Sequence, residues 1–431
     1  MASEDTINLE FIKILASSGE NAEENQHSEP VRECAPVKKA DGPKFARKAP
    51  KKRKNPLILL LAFLAKTAVT LVSLVLTVVL LSSVVLVLGS RSASSAAASG
   101  DVTVMDKFDM FMTNQISSAL DGVLNIDKVY WLSESDLVAP KPNPANYGTA
   151  DKPEDLMWLL EEAADLIDGQ EMLFNANTPI WDGDKIYYYY DETILVITWK
   201  EYVGRAMYTV SEVKIAHPSQ FRRFLAGGEF GSDKQYVTTD MASSVNAVVA
   251  SSGDFYKHRL NGVVVYEGEI KRAEFKWVDT CFINADADLI LSPKKQFENL
   301  EQAQQFVDDN NIRFSLAFGP ILVNDGVACV PKQYTLGEID GNYSRAALCQ
   351  MDKLHYLLVN ATAQFTYQLR PNMEIFADVL VSYGVDKAYA LDGGQTTVIA
   401  MDGKAINSVD YGYQRQISDI IYFATALPDG E

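Results

Sequence analysis

The 431-residue sequence predicts an α+β fold, a mixed sheet core with flanking helices, preceded by one N-terminal transmembrane helix. Three observations lead there. A long apolar stretch directly follows a basic cluster, short β-branched and aromatic runs alternate with turns after residue 203, and only a few later segments show helical spacing. With no internal repeat, that mixture belongs to α+β or mixed α/β proteins.

The N-terminal elements follow in order. Residues 1–55 read as a basic, largely disordered cytoplasmic tail, since they show no sustained apolar period. Residues 38–54 carry nine Lys/Arg against one Asp immediately before the apolar run, a positive-inside topology signal. A nuclear-localisation reading of the KKRK motif is the weaker alternative in that setting. Residues 56–90 are the expected transmembrane segment, apolar from Pro56 to Gly89 apart from Lys66 and scattered Ser/Thr. The run exceeds the ~20 residues a bilayer needs. Lys66 is therefore expected to snorkel to the interface, leaving a span near Thr67–Leu88. A cleaved signal peptide would have an apolar core of only ~7–15 residues. These readings place the chain in the cell membrane as a single-pass protein, N-terminus cytoplasmic and C-terminal domain extracytoplasmic.

Residues 91–200 read as a small-residue linker, an amphipathic membrane-proximal helix over 104–126, a helix over Glu154–Ile167 and a hairpin over 184–199. The tyrosine run 187–190 fits core packing better than sugar stacking, because strand alternation turns half of its rings inward. Residues 201–431 form the main domain. Strands are expected at Ala206–Ile215, Ala247–Ala250, Gly262–Tyr266, Leu289–Leu291, Ala328–Val330, Ala346–Cys349, Leu354–Asn360, Lys387–Ala390 and Ile417–Ala424. Helices are expected at Ser219–Leu225, Lys295–Asp308 and Asn372–Tyr383.

The net charge is −18, and the acidity lies beyond the basic N-terminal region. An acidic domain lacks the positive footprint that nucleic acid requires. Cys34 falls in the cytoplasmic tail, leaving Cys281, Cys329 and Cys349 outside. One disulfide with one thiol, or three thiols, both satisfy that count, and Cys329–Cys349 is the preferred pair. No Cys/His spacing suggests zinc.

Four turn-rich segments follow apolar runs, where backbone approaches a ligand closely: Ala250–Tyr256, Phe318–Gly326, Asn342–Ala347 and Ala390–Thr397. Each alone is an ordinary turn; Asn-Asp-Gly at 324–326, for instance, is a favoured hairpin turn. Their order resembles the phosphodiester glycosidase family over about 203–426. The resemblance is carried by Ser252-Gly-Asp-Phe255, Phe318-Gly-Pro320 with Asp325-Gly326, Arg345 before Ala-Ala, Leu391-Asp-Gly-Gly-Gln-Thr396, and Arg415-Gln-Ile-Ser-Asp419. Two departures stand out: Ser252 replaces the family asparagine and Gln395 its third glycine.

The resemblance implies a hydrolase or transglycosylase of sugar-1-phosphodiester linkages in envelope or exopolysaccharide glycans. Asp392, Asp254 and Arg345 are its catalytic candidates. An aspartate would act as base toward water or as nucleophile, and Arg345 and Arg415 would hold the phosphate. Ser252, Gly253, Gly393, Gly394, Thr396 and Thr397 would bind substrate through hydroxyls or bare backbone. No cofactor is otherwise called for, though Asp392 and Asp254 are a candidate pair for a divalent cation, Ca²⁺ or Mg²⁺. The alternative is a non-catalytic glycan-binding protein on the same scaffold.

Overall fold

The computed structural model describes residues 132–133, 138–334, 339–365 and 368–428. The expected tail, transmembrane segment, linker and 104–126 helix lie outside the described residues. Among the described residues no helix is long and apolar enough to cross a membrane.

The fold is a sheet-dominated α+β domain with few helices. Its largest sheet has nine strands, in spatial order Tyr147–Ala150, Ile186–Asp191, Ile194–Val203, Ala206–Ile215, His355–Thr362, Arg345–Asp352, Lys387–Leu391, Ile321–Asn324 and Val327–Ala328. Every pairing in it is antiparallel, where the sequence predicted a mixed sheet. Ala206–Ile215 and His355–Thr362 are buried at every position, which requires cover on both faces.

One cover is a five-stranded sheet ordered Lys404–Ala405, Ile399–Met401, Val249–Ser252, Asp419–Phe423 and Phe221–Leu225. Phe221 stacks on Phe423 at 4.7 Å within that sheet and meets Tyr356 of the large sheet at 5.2 Å. On another side the helix Met373–Ser382, capped by Asn372 Oδ1 accepting from Ile375 N, brings Phe376 against Tyr208 at 6.1 Å. A three-stranded sheet (Leu289–Ser292, Thr280–Asn284, Ile312–Leu316) and a hairpin (Val263–Tyr266 with Glu269–Ala273) complete the sheets.

Several expectations need correction. Ser219–Leu225 is not helical: a short 3-10 turn at Pro218–Gln220 leads into the strand Phe221–Leu225, because pairing with Asp419–Phe423 overrides the helix propensity of Arg and Leu. The helix expected from Lys295 begins at Leu300, after a left-handed Lys295, with Asn299 Oδ1 capping Gln302 N. The 154–167 helix is broken into a 3-10 turn and two short helices, Met157–Glu162 and Ala164–Ile167. The helix Thr238–Ser244 was not anticipated.

The boundary drawn at 200/201 falls inside the strand Ile194–Val203, so the 184–199 hairpin is part of the large sheet and not a separate region. Within that hairpin Tyr189 is buried and the other three tyrosines are half-buried. Cys281, Cys329 and Cys349 are all free, so the Cys329–Cys349 pair is not made. Burial pushes the Cys281 and Cys349 thiols well above their ordinary range, which leaves them unreactive.

Phe221 joins the two sheets with no exposed surface. Phe221→Ala should destabilise the fold by about 3–5 kcal/mol, measured as a lower denaturation midpoint with an unchanged slope.

Candidate functional site

A cleft of about 250 Å³ opens where the loops after Val249–Ser252, Ile312–Leu316 and Lys387–Leu391 meet the start of Arg345–Asp352. Arg259, Arg345 and Arg415 line it, and Asp392 is the one acid among the described residues that do. Phe255, Phe318 and Tyr343 form its aromatic walls.

Each arginine lies over a wall ring: Arg415 5.0 Å from the Phe255 centroid, Arg259 3.8 Å from Phe318 and Arg345 5.4 Å from Tyr343. Stacking of this kind fixes the guanidinium plane while leaving edge donors for an anion. Arg345 is 5% exposed and donates through Nη2 to Gly341 O. Arg415 Nη2 donates to Asp392 Oδ2 at 2.9 Å, with 42% of the arginine side chain exposed and 10% of the aspartate's. The result is a recess with three cations and one carboxylate, positive inside an acidic domain.

Of the residues singled out in the sequence, Asp392, Arg345, Arg415, Gly393 and Gly394 line the cleft, as does Gln395. Ser252, Gly253, Asp254, Thr396 and Thr397 do not. Ser252 is fully buried with its hydroxyl donating to Asp392 O at 3.2 Å. Thr396 Oγ1 donates to Gly393 O at 2.7 Å, and Thr397 is likewise buried.

The glycines serve close packing. A Cβ on Gly253 would lie 2.1 Å from Asp419 Oδ2, and one on Gly393 would lie 2.6 Å from Ser344 O. The N–H groups of Gly253 and Gly394 donate to Asp419 O and Ser344 O, so they are committed within the protein. Asp325 and Gly326 form the hairpin turn between Ile321–Asn324 and Val327–Ala328, away from the cleft.

Asp254 lies beneath the cleft in a buried ionic group. Arg223 Nη2 stands 2.9 Å from Asp254 Oδ1 and 2.8 Å from Asp419 Oδ2, all three side chains fully buried. Asp254 Oδ1 accepts from Tyr256 N at 2.8 Å and Oδ2 from Ala317 N at 2.7 Å, while Asp392 N donates to Gly253 O at 3.1 Å. One carboxylate thereby binds the loop of Phe255 and Arg259 to the loop of Phe318, and the neighbouring peptide holds Asp392. Both oxygens of Asp254 are engaged by donors within the protein, and among the two aspartates only Asp392 lines the cleft. Among the described residues no cluster of three or more His, Cys, Asp or Glu exists to hold a metal.

Sequence reasoning missed Arg223 and Arg259. Arg259 closes a basic run (Lys257-His258-Arg259) directly after the Ser252–Phe255 turn, which was a usable signal. Arg223 gave none, since it sat in a segment read as helix. His258 stacks on Phe255 at 4.6 Å, with its pKa lowered by partial burial and then by Arg415 and Lys257.

Fold and cleft together define a class: a sheet-dominated α+β domain with an arginine-walled cleft around one carboxylate. Residues 245–424 match the family model of phosphodiester glycosidases, and this stretch is a domain of that family. A curated relative, the SPbeta prophage-derived uncharacterized protein YomE of Bacillus subtilis (strain 168), is 22% identical over 209 residues, covering 47% of this chain and 31% of YomE. The chain therefore spans about a third of that relative's length. Among solved structures, the zebrafish N-acetylglucosamine-1-phosphodiester alpha-N-acetylglucosaminidase catalytic domain, auto-inhibited by its pro-peptide, aligns at TM-score 0.44 and 16% identity, covering 60% of this chain and 92% of that one. A hypothetical protein from Synechocystis aligns at TM-score 0.40 and 13% identity, covering 57% and 64%.

Two acids around one arginine leave a surplus negative charge in a dry site. Burial first, then the charge of Asp254, raises the Asp419 carboxyl from 3.8 to about 8, against the opposing pull of Arg223. Between those values the folded chain keeps a proton that the unfolded chain has released, so this group's contribution to stability falls as pH rises toward 8. Asp419→Asn should flatten the decline of melting temperature from about pH 5 to about pH 8; an undiminished slope in the variant would contradict this assignment.

Proposed function

We propose that this chain is a membrane-anchored, extracytoplasmic hydrolase or transglycosylase of sugar-1-phosphodiester linkages in envelope or exopolysaccharide glycans. The observation that carries the reading is the convergence of Arg259, Arg345 and Arg415 around the carboxylate of Asp392. An ordinary glycosidase uses two carboxyl groups, one of them to protonate a poor leaving group. A sugar-1-phosphodiester departs as a phosphate monoester, already a stable anion, so one carboxylate and strong positive charge suffice.

The guanidinium groups take the phosphate oxygens, which brings C1 of the sugar to Asp392. The C1–O bond then breaks with its electron pair leaving on phosphate. Either water attacks C1 as its proton passes to Asp392, or Asp392 attacks C1 to form a glycosyl ester that water or an acceptor hydroxyl then cleaves, regenerating the carboxylate. Arg415 holds Asp392 at 2.9 Å. An incoming phosphate competes for that guanidinium and releases the carboxylate toward the sugar.

One observation favours the binding-protein alternative. Ser252 stands where the family resemblance has asparagine, and its buried hydroxyl presents nothing to the cleft. Full-length protein in detergent, mixed with UDP-N-acetylglucosamine and with nitrophenyl sugar phosphodiesters, separates the two: sugar release supports the enzyme, and binding without release supports the module.

For an active protein, Asp392→Asn and Arg345→Ala should each lower kcat by about 10²–10³-fold, with folding checked by circular dichroism. Parental rates in both folded variants would end the proposal. Deleting residues 56–90 should move the protein from the membrane fraction to the soluble fraction, read by fractionation and immunoblot.

A further inference from the structure

The segment Asp410–Arg415 is fastened at four of its six residues. Asp410 Oδ1 accepts from Ser344 Oγ and from Arg370 Nη2, each at 2.8 Å. Gln395 Nε2 donates to Tyr413 O at 3.1 Å, Gln414 exchanges hydrogen bonds with Thr239, and Arg415 binds Asp392. Ser344, Gln395 and Arg415 all line the cleft, so the segment is part of its rim.

Two side chains of this fixed segment point to solvent: Tyr411 is 84% and Tyr413 65% exposed. Tyr411 also sits at φ 63°, a left-handed backbone that a bulky side chain adopts only under constraint. Tyr343 on the cleft wall is 49% exposed. A rigid loop under backbone strain that displays phenol rings is a preorganised surface. Tyrosine offers an apolar face and a hydroxyl at low entropic cost on binding, which matches the C–H face and hydroxyl edge of a sugar ring. The cleft is smaller than the ~300 Å³ at which pockets for drug-sized ligands begin, so it has room for about one sugar phosphate. Whatever the phosphate is esterified to must leave across the rim.

We propose that Tyr411 and Tyr413 form an outer subsite that stacks sugar rings beyond the phosphate. The inference rests on the phosphodiester reading of the cleft. Asp410 and Gln395 are positioning residues that hold the two tyrosines in place.

The test uses full-length protein in detergent and two probes, N-acetylglucosamine 1-phosphate esterified to methanol and the same phosphate esterified to maltotetraose. The parent should favour the long probe in kcat/KM by about tenfold. Tyr411→Ala/Tyr413→Ala should abolish that preference through KM, and Tyr411→Phe/Tyr413→Phe, which keeps both rings, should retain it. A parent without preference, or one whose preference survives the double alanine change, overturns the subsite and leaves the hydrolase reading intact. If the parent cleaves neither probe, the hydrolase reading fails separately and calorimetry decides the subsite. Tighter binding of the long probe that is lost on double alanine substitution supports it; equal or absent binding overturns it.

Discussion

Arg223 stands between Asp254 and Asp419 where water does not reach, and the geometry of the cleft depends on it. A buried charge is tolerable only when compensated, and removing one partner from such a group typically costs about 3–5 kcal/mol. Here the compensation also does assembly. Arg223 comes from the edge strand Phe221–Leu225, Asp419 from its neighbour Asp419–Phe423, and Asp254 from the loop after Val249–Ser252. Because Asp254 also accepts from Ala317 N, the ionic group reaches into the loop that carries Phe318.

From that anchor the site builds outward in two steps. The ionic group sets the backbone of the aromatic walls, and the rings then orient the guanidinium groups above them, Phe255 under Arg415 and Phe318 under Arg259. Positive charge is thus concentrated in a recess of a strongly acidic protein, where low-dielectric walls strengthen its field toward an approaching anion.

The sequence made much of this visible, unevenly and for physical reasons. Ala206–Ile215, Lys387–Leu391 and Met373–Ser382 were readable because local pattern and tertiary setting agree. Phe221–Leu225 was misread because its strand character comes from a partner nearly 200 residues away, and Arg223 was missed with it. Asp392, Arg345 and Arg415 were identifiable as members of turn motifs, and the fold gathers them. Asp254 belonged to an equally clear motif yet faces inward, since sequence shows that a carboxylate is present but not which way its loop turns. Ser252, Thr396 and Thr397 follow the same rule: hydroxyls at strand exits are as useful for tying backbone as for touching a ligand.

The sheet also bears on how the chain can be divided. The stretch matched by the family model begins at residue 245, yet His355–Thr362 within it pairs along its whole length with Ala206–Ile215, which lies upstream. A piece cut at the start of the matched region would leave that fully buried strand with a bare, apolar margin of unpaired amides and carbonyls, the kind of border along which separate molecules zip together. The strands from Tyr147 to Ile215 act as a built-in guard for the family-matched half, and any portable version of this domain has to travel with them.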